Sequence, residues 1–215
     1  MYLNNSHVPE PIVYVIDDDQ DICNSLTWLL DSVQLETKTF NSAIEFLNYQ
    51  RPNTPACLIL DIRMRGMSGL QLQQQLNQQK ASLPIIFMTG HGDIPMSVNA
   101  MKAGAFDFLE KPFNPQHMLD QIQACLQQAE QNFIEEEKRK QQIQKLKSLS
   151  PRENEIINLL VDGLSSKHIA QVLNISHKTV EIHRTHIRQK LGTESIAQIV
   201  NMVLMCRDRT MQAMG

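Results

Sequence analysis

Cys57-Leu58-Ile59-Leu60-Asp61 is a run of four apolar residues closed by a carboxylate. Three other stretches share its form. Ile12-Val13-Tyr14-Val15-Ile16 precedes the acidic pair Asp17-Asp18, Pro84-Ile85-Ile86-Phe87-Met88 precedes the hydroxyl of Thr89, and Phe106-Asp107-Phe108-Leu109 leads to the ammonium of Lys111. Short apolar runs of this kind read as strands buried on both faces, the pattern of a parallel sheet. In open parallel sheets the carboxyl ends of the strands gather at one edge, where ligands bind. The spacing therefore predicts a carboxylate cluster, a hydroxyl and a cation at one site.

Between these runs, Ile22, Leu26, Leu29, Leu30 and Val33 recur at helical spacing, as do Leu70, Leu72 and Leu76, and then Val98, Met101 and Ala105. Leu35 to Phe40 supplies a further strand. Parallel strands need right-handed crossover helices on both faces of the sheet. Residues 9–127 are thus expected to form a flavodoxin-like (βα)5 domain of the α/β class. Asn114-Pro115, an N-cap followed by proline at the first helical position, opens its fifth helix.

That helix is expected to outrun the domain as a long helical linker over 128–148. Leu119, Ile122, Leu126, Ala129 and Phe133 step by three and four, Glu136 and Lys140 interrupt the pattern, and Ile143 and Leu146 resume it. The run Glu135-Glu136-Glu137-Lys138-Arg139-Lys140 places opposite charges three and four apart, which supports an isolated helix. A solvated linker fits better than a stable coiled coil, because the heptads are few.

Residues 149–210 read as a second, all-α domain. Ser150-Pro151-Arg152-Glu153 is a capping box, and an apolar helix with Ile156, Ile157, Leu159, Leu160 and Val161 ends at Asp162-Gly163. Ser165 begins another helix, Asn174-Ile175-Ser176 makes a turn, and Ser176 caps a longer helix to about Leu191: a helix-turn-helix. Asn174 sits where positive φ is expected, which asparagine tolerates. On the last helix Val180, Ile187 and Leu191 define the inward direction at 100° per residue. The opposite face collects Lys178, Ile182, Thr185, His186 and Gln189, with Arg184, Arg188 and Lys190 between. An exposed Ile182 on a polar, cationic face suits contact with a thymine methyl in a major groove, and flanking cations suit phosphates. The plain alternative is a solvated helix of a small bundle.

The chain has 215 residues and a 42% hydrophobic fraction, enough for two cores. Its net charge of −3 is unevenly spread. Residues 1–129 hold 7 Lys and Arg against 13 Asp and Glu, residues 130–147 hold 5 against 4, and residues 148–215 hold 8 against 6. The acidic front fits a cation site and the mildly basic back an anionic partner. Cys23, Cys57, Cys125 and Cys206 lack any CxxC or metal-ligand spacing, so thiols in a reducing cytoplasm are expected. No apolar run approaches the ~20 residues needed to span a bilayer, and Met1 to Pro11 has neither a basic nor an apolar region, so neither membrane insertion nor secretion is expected.

Residues 12 to about 125 resemble the receiver domain of bacterial two-component response regulators. The resemblance rests on Val15-Ile16-Asp17-Asp18-Asp19, Leu60-Asp61-Ile62-Arg63-Met64, Met67-Ser68-Gly69-Leu70, Thr89-Gly90-His91-Gly92-Asp93, and the stretch from Ala103-Gly104-Ala105 through Glu110-Lys111-Pro112-Phe113. The last two of these stretches look most like the FixJ branch. Residues 149 to 208 resemble the LuxR-like DNA-binding domain of the NarL/FixJ subfamily through Leu149-Ser150-Pro151-Arg152-Glu153, Thr179-Val180-Glu181-Ile182-His183-Arg184 and Lys190-Leu191-Gly192. The resemblance implies a phosphorylation-dependent transcription regulator, an activator, with Asp61 as phosphoacceptor. Mg²⁺ would be held by Asp17, Asp18, Asp61 and the backbone carbonyl of Arg63. Lys111 would pair with phosphoryl oxygens, Thr89 and Phe108 would form the switch pair, and Lys111-Pro112 would be cis. His91 and Arg63 would border the path of attacking water. The DNA-contacting set is Lys178, Thr179, Glu181, Ile182, Thr185, Arg188 and Lys190.

The implied partners are a sensor histidine kinase, promoter DNA with two half-sites, RNA polymerase and, on phosphorylation, a second copy of the chain; no membrane partner is implied. Ile196, Ile199, Val200, Val203 and Leu204 offer a dimer face, or a packing stripe within the domain. Enzymatic activity is expected only as phosphoryl transfer to Asp61 and slow self-hydrolysis. Two rivals stand: a phosphorylation-independent DNA-binding dimer, and a Mg²⁺-dependent phosphohydrolase, which Arg63 disfavours by standing where a second acid is needed. Arg65 departs from the family's usual proline and Asn174 from its usual glycine.

Overall fold

Every residue of β1 (Ile12–Ile16), β3 (Ala56–Asp61) and β4 (Ile85–Thr89) is buried, so none shows the apolar-polar alternation of a one-sided sheet. The computed structural model describes residues 8–90, 94–193, 195 and 197–204, with no side-chain detail at 94 and 95. Part-exposed β2 (Glu36–Phe40) and β5 (Asp107–Glu110) form the edges of a parallel sheet ordered β2-β1-β3-β4-β5. β1 pairs with β2 on one side and β3 on the other, and a crevice opens at such a point, beyond the carboxyl ends of the strands.

Successive residues of each central strand feed two separate cores. Tyr14, Ile16, Leu58, Leu60 and Phe87 pack with Phe46 of α2 (Ala43–Asn48), Leu72 and Leu76 of α3 (Gly69–Gln78) and Ala100 of α4 (Ile94–Lys102). Val13, Val15, Cys57, Ile59, Ile86 and Met88 pack on the other face with Leu26 and Leu30 of α1 (Gln20–Asp31) and Ile122 and Leu126 of α5 (Pro115–Lys147). Burying each large aliphatic side chain contributes ~1.5–3 kcal/mol. Three strands begin one residue later than expected. Pro84 has no N–H for the ladder, though its carbonyl accepts from Leu58 N at 3.0 Å, just before Ile85 begins β4.

The chain divides into two compact units, residues 1–135 and 136–215. Asn114 Oδ1 accepts from the N–H groups of Gln116 and His117 at 2.8 and 3.2 Å, the expected cap of α5. That helix runs 33 residues, and its charge run forms Arg139–Glu136 and Lys140–Glu137 pairs at 2.6 and 2.7 Å.

In the second unit α6 (Pro151–Val161) starts at a complete capping box of Ser150 and Glu153. α7 (Ser166–Val172) and α8 (His177–Leu191) follow, capped by Ser165 and Ser176. Asn174 between them has φ of 50°, as the turn requires, and Gly192 ends α8 at 68°. Leu149, Ile156, Ile157, Ile169, Val180, Ile187 and Leu191 share a core with Ile199 and Val203. Those last two are therefore spent inside the domain. Leu204 remains exposed, and Ile196 lies outside the described residues. Cys23, Cys57 and Cys125 are buried free thiols, and Cys206 lies outside the described residues. Among the described residues no helix is long and apolar enough to cross a membrane.

Candidate functional site

The register of β1 on β3 pairs Ile16 with Leu60, so the next residue of each chain, Asp17 and Asp61, emerges side by side. Asp61 pairs with Met88 of β4, which puts Thr89 one step further along the same edge. Lys111, one residue past β5, donates its N–H to the Thr89 carbonyl at 2.7 Å and is thereby fixed beside it. Four strand ends thus deliver the four groups expected together.

Lys111 Nζ lies 2.6 Å from Asp17 Oδ2 and 2.7 Å from Asp61 Oδ1. The other oxygens are held by backbone: Asp17 Oδ1 accepts from Asp19 N at 2.9 Å, and Asp61 Oδ2 from Arg63 N at 2.8 Å. Each carboxylate is therefore oriented by one backbone amide and by the shared Lys111 ammonium. Carboxylate oxygens of Asp17, Asp18 and Asp61 fall within 4.8 Å of one another. Three hard oxygen donors at the carboxyl edge of the sheet fit a small divalent cation that keeps some of its water. The Lys111-Pro112 peptide is cis.

Burial pushes the Asp61 carboxyl pKa up, against the lowering effect of the Lys111 ammonium; the neighbouring Asp17 charge is a smaller contribution in the same direction as burial. Loss of water is thus a larger cause than repulsion between the carboxylates. Burial pulls Lys111 down, but its bonds to Asp17 and Asp61 prevail and the ammonium is held above its usual range.

Gly69 explains why the loop after β3 can close here. Its N–H donates to the Ile62 carbonyl at 3.1 Å, and a Cβ on it would stand 2.3 Å from the carbonyl oxygen of Asp61. Only glycine lets α3 start so close to the acidic residue. The sequence motif contained Gly69 without showing this packing reason.

Arg65, where the family usually has proline, brings a further cation to Asp18. Its N–H donates to Asp18 Oδ2 at 3.2 Å, a bond proline has no hydrogen to make, and its Nε lies 3.6 Å from the same oxygen. The side chain is 97% exposed, so solvent screens the pair. Arg65→Ala should tighten divalent-cation binding by a few-fold, since screened pairs of this kind contribute roughly 0.2–1 kcal/mol. Mg²⁺ titration of intrinsic Trp28 fluorescence or calorimetry checks it, and weaker binding by the variant would remove Arg65 as a competitor.

Thr89 is buried, whereas Phe108 is 43% exposed, so Phe108 is no core aromatic. His91 lies outside the described residues.

On α8, Val180, Ile187 and Leu191 are buried and Lys178, Ile182, Thr185, His186 and Gln189 are exposed, as the helical mapping predicted. Ile182 is 47% exposed. Thr179, half-buried, donates its N–H to Ser176 Oγ at 3.0 Å, and Thr185 Oγ1 donates to the Glu181 carbonyl at 3.0 Å. Among the described residues Lys178 and Arg188 form no ion pair, whereas Lys190 binds Glu153 at 2.7 Å and Glu181 binds Arg184 at 2.9 Å. Arg184 also donates to Ser166 Oγ, locking α8 to α7. Arg152 donates to the Leu173 carbonyl at 2.9 Å and pins the turn. These locks escaped the sequence, because each joins helices whose packing periodicity leaves open. Exposed Lys178 and Ile182 and half-buried Arg188 remain as contact groups outside these pairings.

Residues 13–123 match the family described as the response regulator receiver domain, and residues 147–203 match bacterial regulatory proteins of the luxR family. The chain is 44% identical over 192 residues to the transcriptional regulatory protein TdiR of Thauera aromatica, covering 89% of this chain and 85% of TdiR. It is 40% identical to the transcriptional regulatory protein FixJ of Azorhizobium caulinodans, covering 92% and 94% of the two. A low-resolution structure of the response regulator StyR superposes with a TM-score of 0.79 at 45% identity, over 91% of this chain and 98% of that one.

Proposed function

Because the chain belongs to the bacterial two-component response regulators that join a receiver domain to a luxR-family DNA-binding domain, we propose that it regulates transcription through phosphorylation of Asp61. The observation that carries this is the cluster at the strand ends, with Lys111 within 2.7 Å of both Asp17 and Asp61. It is a DNA-binding transcription regulator and not an enzyme acting on an external substrate.

A carboxylate oxygen of Asp61 attacks the phosphorus of a sensor kinase's phosphohistidine, the P–N bond breaks, and an acyl phosphate forms on Asp61. The protein's part is positioning and charge neutralisation. Asp17, Asp18, Asp61 and the backbone carbonyl of Arg63 would hold Mg²⁺, which supplies neutralisation of charge on the phosphoryl oxygens. Lys111, whose ammonium lies on both Asp17 and Asp61, transfers its contact to the new oxygens as they arrive.

The added charge, roughly −1.5 to −2, then acts on Thr89. Its hydroxyl turns to the phosphoryl group and vacates space at the edge of β4. Phe108 has apolar surface in water and gains by moving inward. The exposed surface of α4, β5 and α5 changes shape, the bistable element that phosphorylation biases.

The output is α8 in a major groove, with Ile182 against base edges and Lys178 and Arg188 on phosphates. Two copies would meet half-sites about one helical turn, ~34 Å, apart. The sign is activation, through RNA polymerase at the promoter, and the setting is the cytoplasm; both follow the FixJ-branch resemblance. Residues 9–127 are the receiver, 128–148 the linker and 149–210 the DNA-binding domain.

Ile182→Ala should weaken binding to the operator on the order of tenfold while leaving non-specific affinity and the salt dependence unchanged. Lys178→Ala should weaken binding to all sequences alike and reduce the slope of log affinity against log salt by about 1. Fluorescence anisotropy over a salt series distinguishes the two patterns. An Ile182→Ala protein that loses affinity equally for every sequence would deny it a reading role.

A further inference from the structure

Glu153, His183 and His186 bring one carboxylate oxygen and two imidazole nitrogens within 4.8 Å of one another, all within the second unit. We propose that these three side chains form a binding site for a divalent transition-metal ion of the Zn²⁺ type, joining the first turn of α6 to α8.

The geometry follows from the helices. His183 and His186 are three residues apart on α8, and Lys190 lies seven beyond His183, so all three share one stripe. That stripe faces Glu153, because Lys190 Nζ reaches Glu153 Oε2 at 2.7 Å. Glu153 is the third residue of α6 and is held there by its own capping box: its Oε2 also accepts from Ser150 N at 2.7 Å. Its side chain is only 4% exposed. A buried carboxylate fixed through one oxygen leaves the other directed by the same bonds, and that oxygen is the one a metal would take. Lys190 keeps Oε2 and the Ser148 carbonyl, 3.3 Å away.

Two imidazoles and one carboxylate are a donor set that Zn²⁺ accepts, with water completing a tetrahedron. Hard Mg²⁺ prefers all-oxygen donors, so this site and the receiver's sort their ions by chemistry. Zn–N and Zn–O bonds of ~2.0–2.2 Å place tetrahedral ligand atoms about 3.3 Å apart. His186 is exposed and His183 half-buried, so both rings are free to turn the remaining distance without disturbing the core. No ligand-bearing helix need move.

The test uses the full chain without an affinity tag, in excess Mg²⁺ to occupy the receiver cluster. Zn²⁺ is titrated against a chromogenic chelator, Co²⁺ is added in parallel for its visible spectrum, and the unfolding midpoint is read with and without Zn²⁺. The expected results are one tight Zn²⁺ per chain, a tetrahedral Co²⁺ spectrum lacking a thiolate charge-transfer band, and a midpoint raised by Zn²⁺. His186→Asn, a change at an exposed position, should lower affinity on the order of 100-fold and abolish the midpoint rise, with an unchanged midpoint in chelator. Asp17→Asn should leave Zn²⁺ binding intact. Wild-type Zn²⁺ affinity in His186→Asn, or loss of the tight Zn²⁺ in Asp17→Asn, overturns the proposal.

Discussion

Asp61→Asn should take up no phosphoryl group from acetyl phosphate in Mg²⁺, where the wild-type chain takes up one. The amide is nearly isosteric and keeps the strand-end geometry, but it offers no anionic oxygen to attack phosphorus. The same variant should be more stable at neutral pH. Burial raises the Asp61 pKa despite Lys111, so the folded chain binds this proton more tightly than the unfolded one does. Stability from this group is therefore full below the unfolded carboxylate value of about 3.9 and is lost as pH rises through the folded pKa. At pH 7 the ionised Asp61 costs stability that asparagine does not. Lys111 retains Asp17 at 2.6 Å, so it is not left without a partner. Thermal unfolding over a pH series from roughly 3 to 8 reads the effect. A lower midpoint for Asp61→Asn at neutral pH would contradict the assignment of burial as the dominant influence, and residual labelling would remove Asp61 as acceptor.

Gly69→Ala should damage both fold and chemistry. The new methyl would stand 2.3 Å from the Asp61 carbonyl oxygen and 3.1 Å from both Leu60 Cγ and the Phe87 ring. Leu60 and Phe87 are fully buried and cannot step aside, so the backbone at Asp61 must shift. Overpacking of this kind costs roughly 1–3 kcal/mol. A displacement near 1 Å at a reacting group slows transfer about 100-fold. Gly69→Ala should thus show a lower unfolding midpoint and a labelling rate reduced by about two orders of magnitude. A variant with the wild-type rate and midpoint would show that this close approach is unimportant.

Why was Asp61 legible when Gly69 was not? Strands buried on both faces must be apolar along their whole length, so Ile12–Ile16 and Ala56–Asp61 announce themselves, and topology alone brings their ends together. The caps at Ser150, Ser165 and Ser176 are local hydrogen bonds, equally readable along the chain. The mapping of α8 also held, because a single helix has only one inward face. Contacts between elements are another matter. Arg184 to Ser166, Arg152 to Leu173 and Lys190 to Glu153 depend on helix packing angles, which no periodicity states. The Phe108 ring illustrates the same limit: its place in an apolar run suggested core, but β5 is an edge strand and leaves it 43% in water. Ile199 and Val203 show the reverse, an apolar stripe equally suited to dimerisation that the domain's own core absorbs.

The most direct test of coupling between the two units is operator affinity of the full chain in Mg²⁺, with and without beryllofluoride, for wild type and Asp61→Asn. Wild type should bind on the order of tenfold more tightly with beryllofluoride, the scale of a typical coupling of 1–3 kcal/mol, and Asp61→Asn should not respond. Equal, tight binding in all four conditions would contradict a phosphorylation switch and leave the receiver as an assembly module.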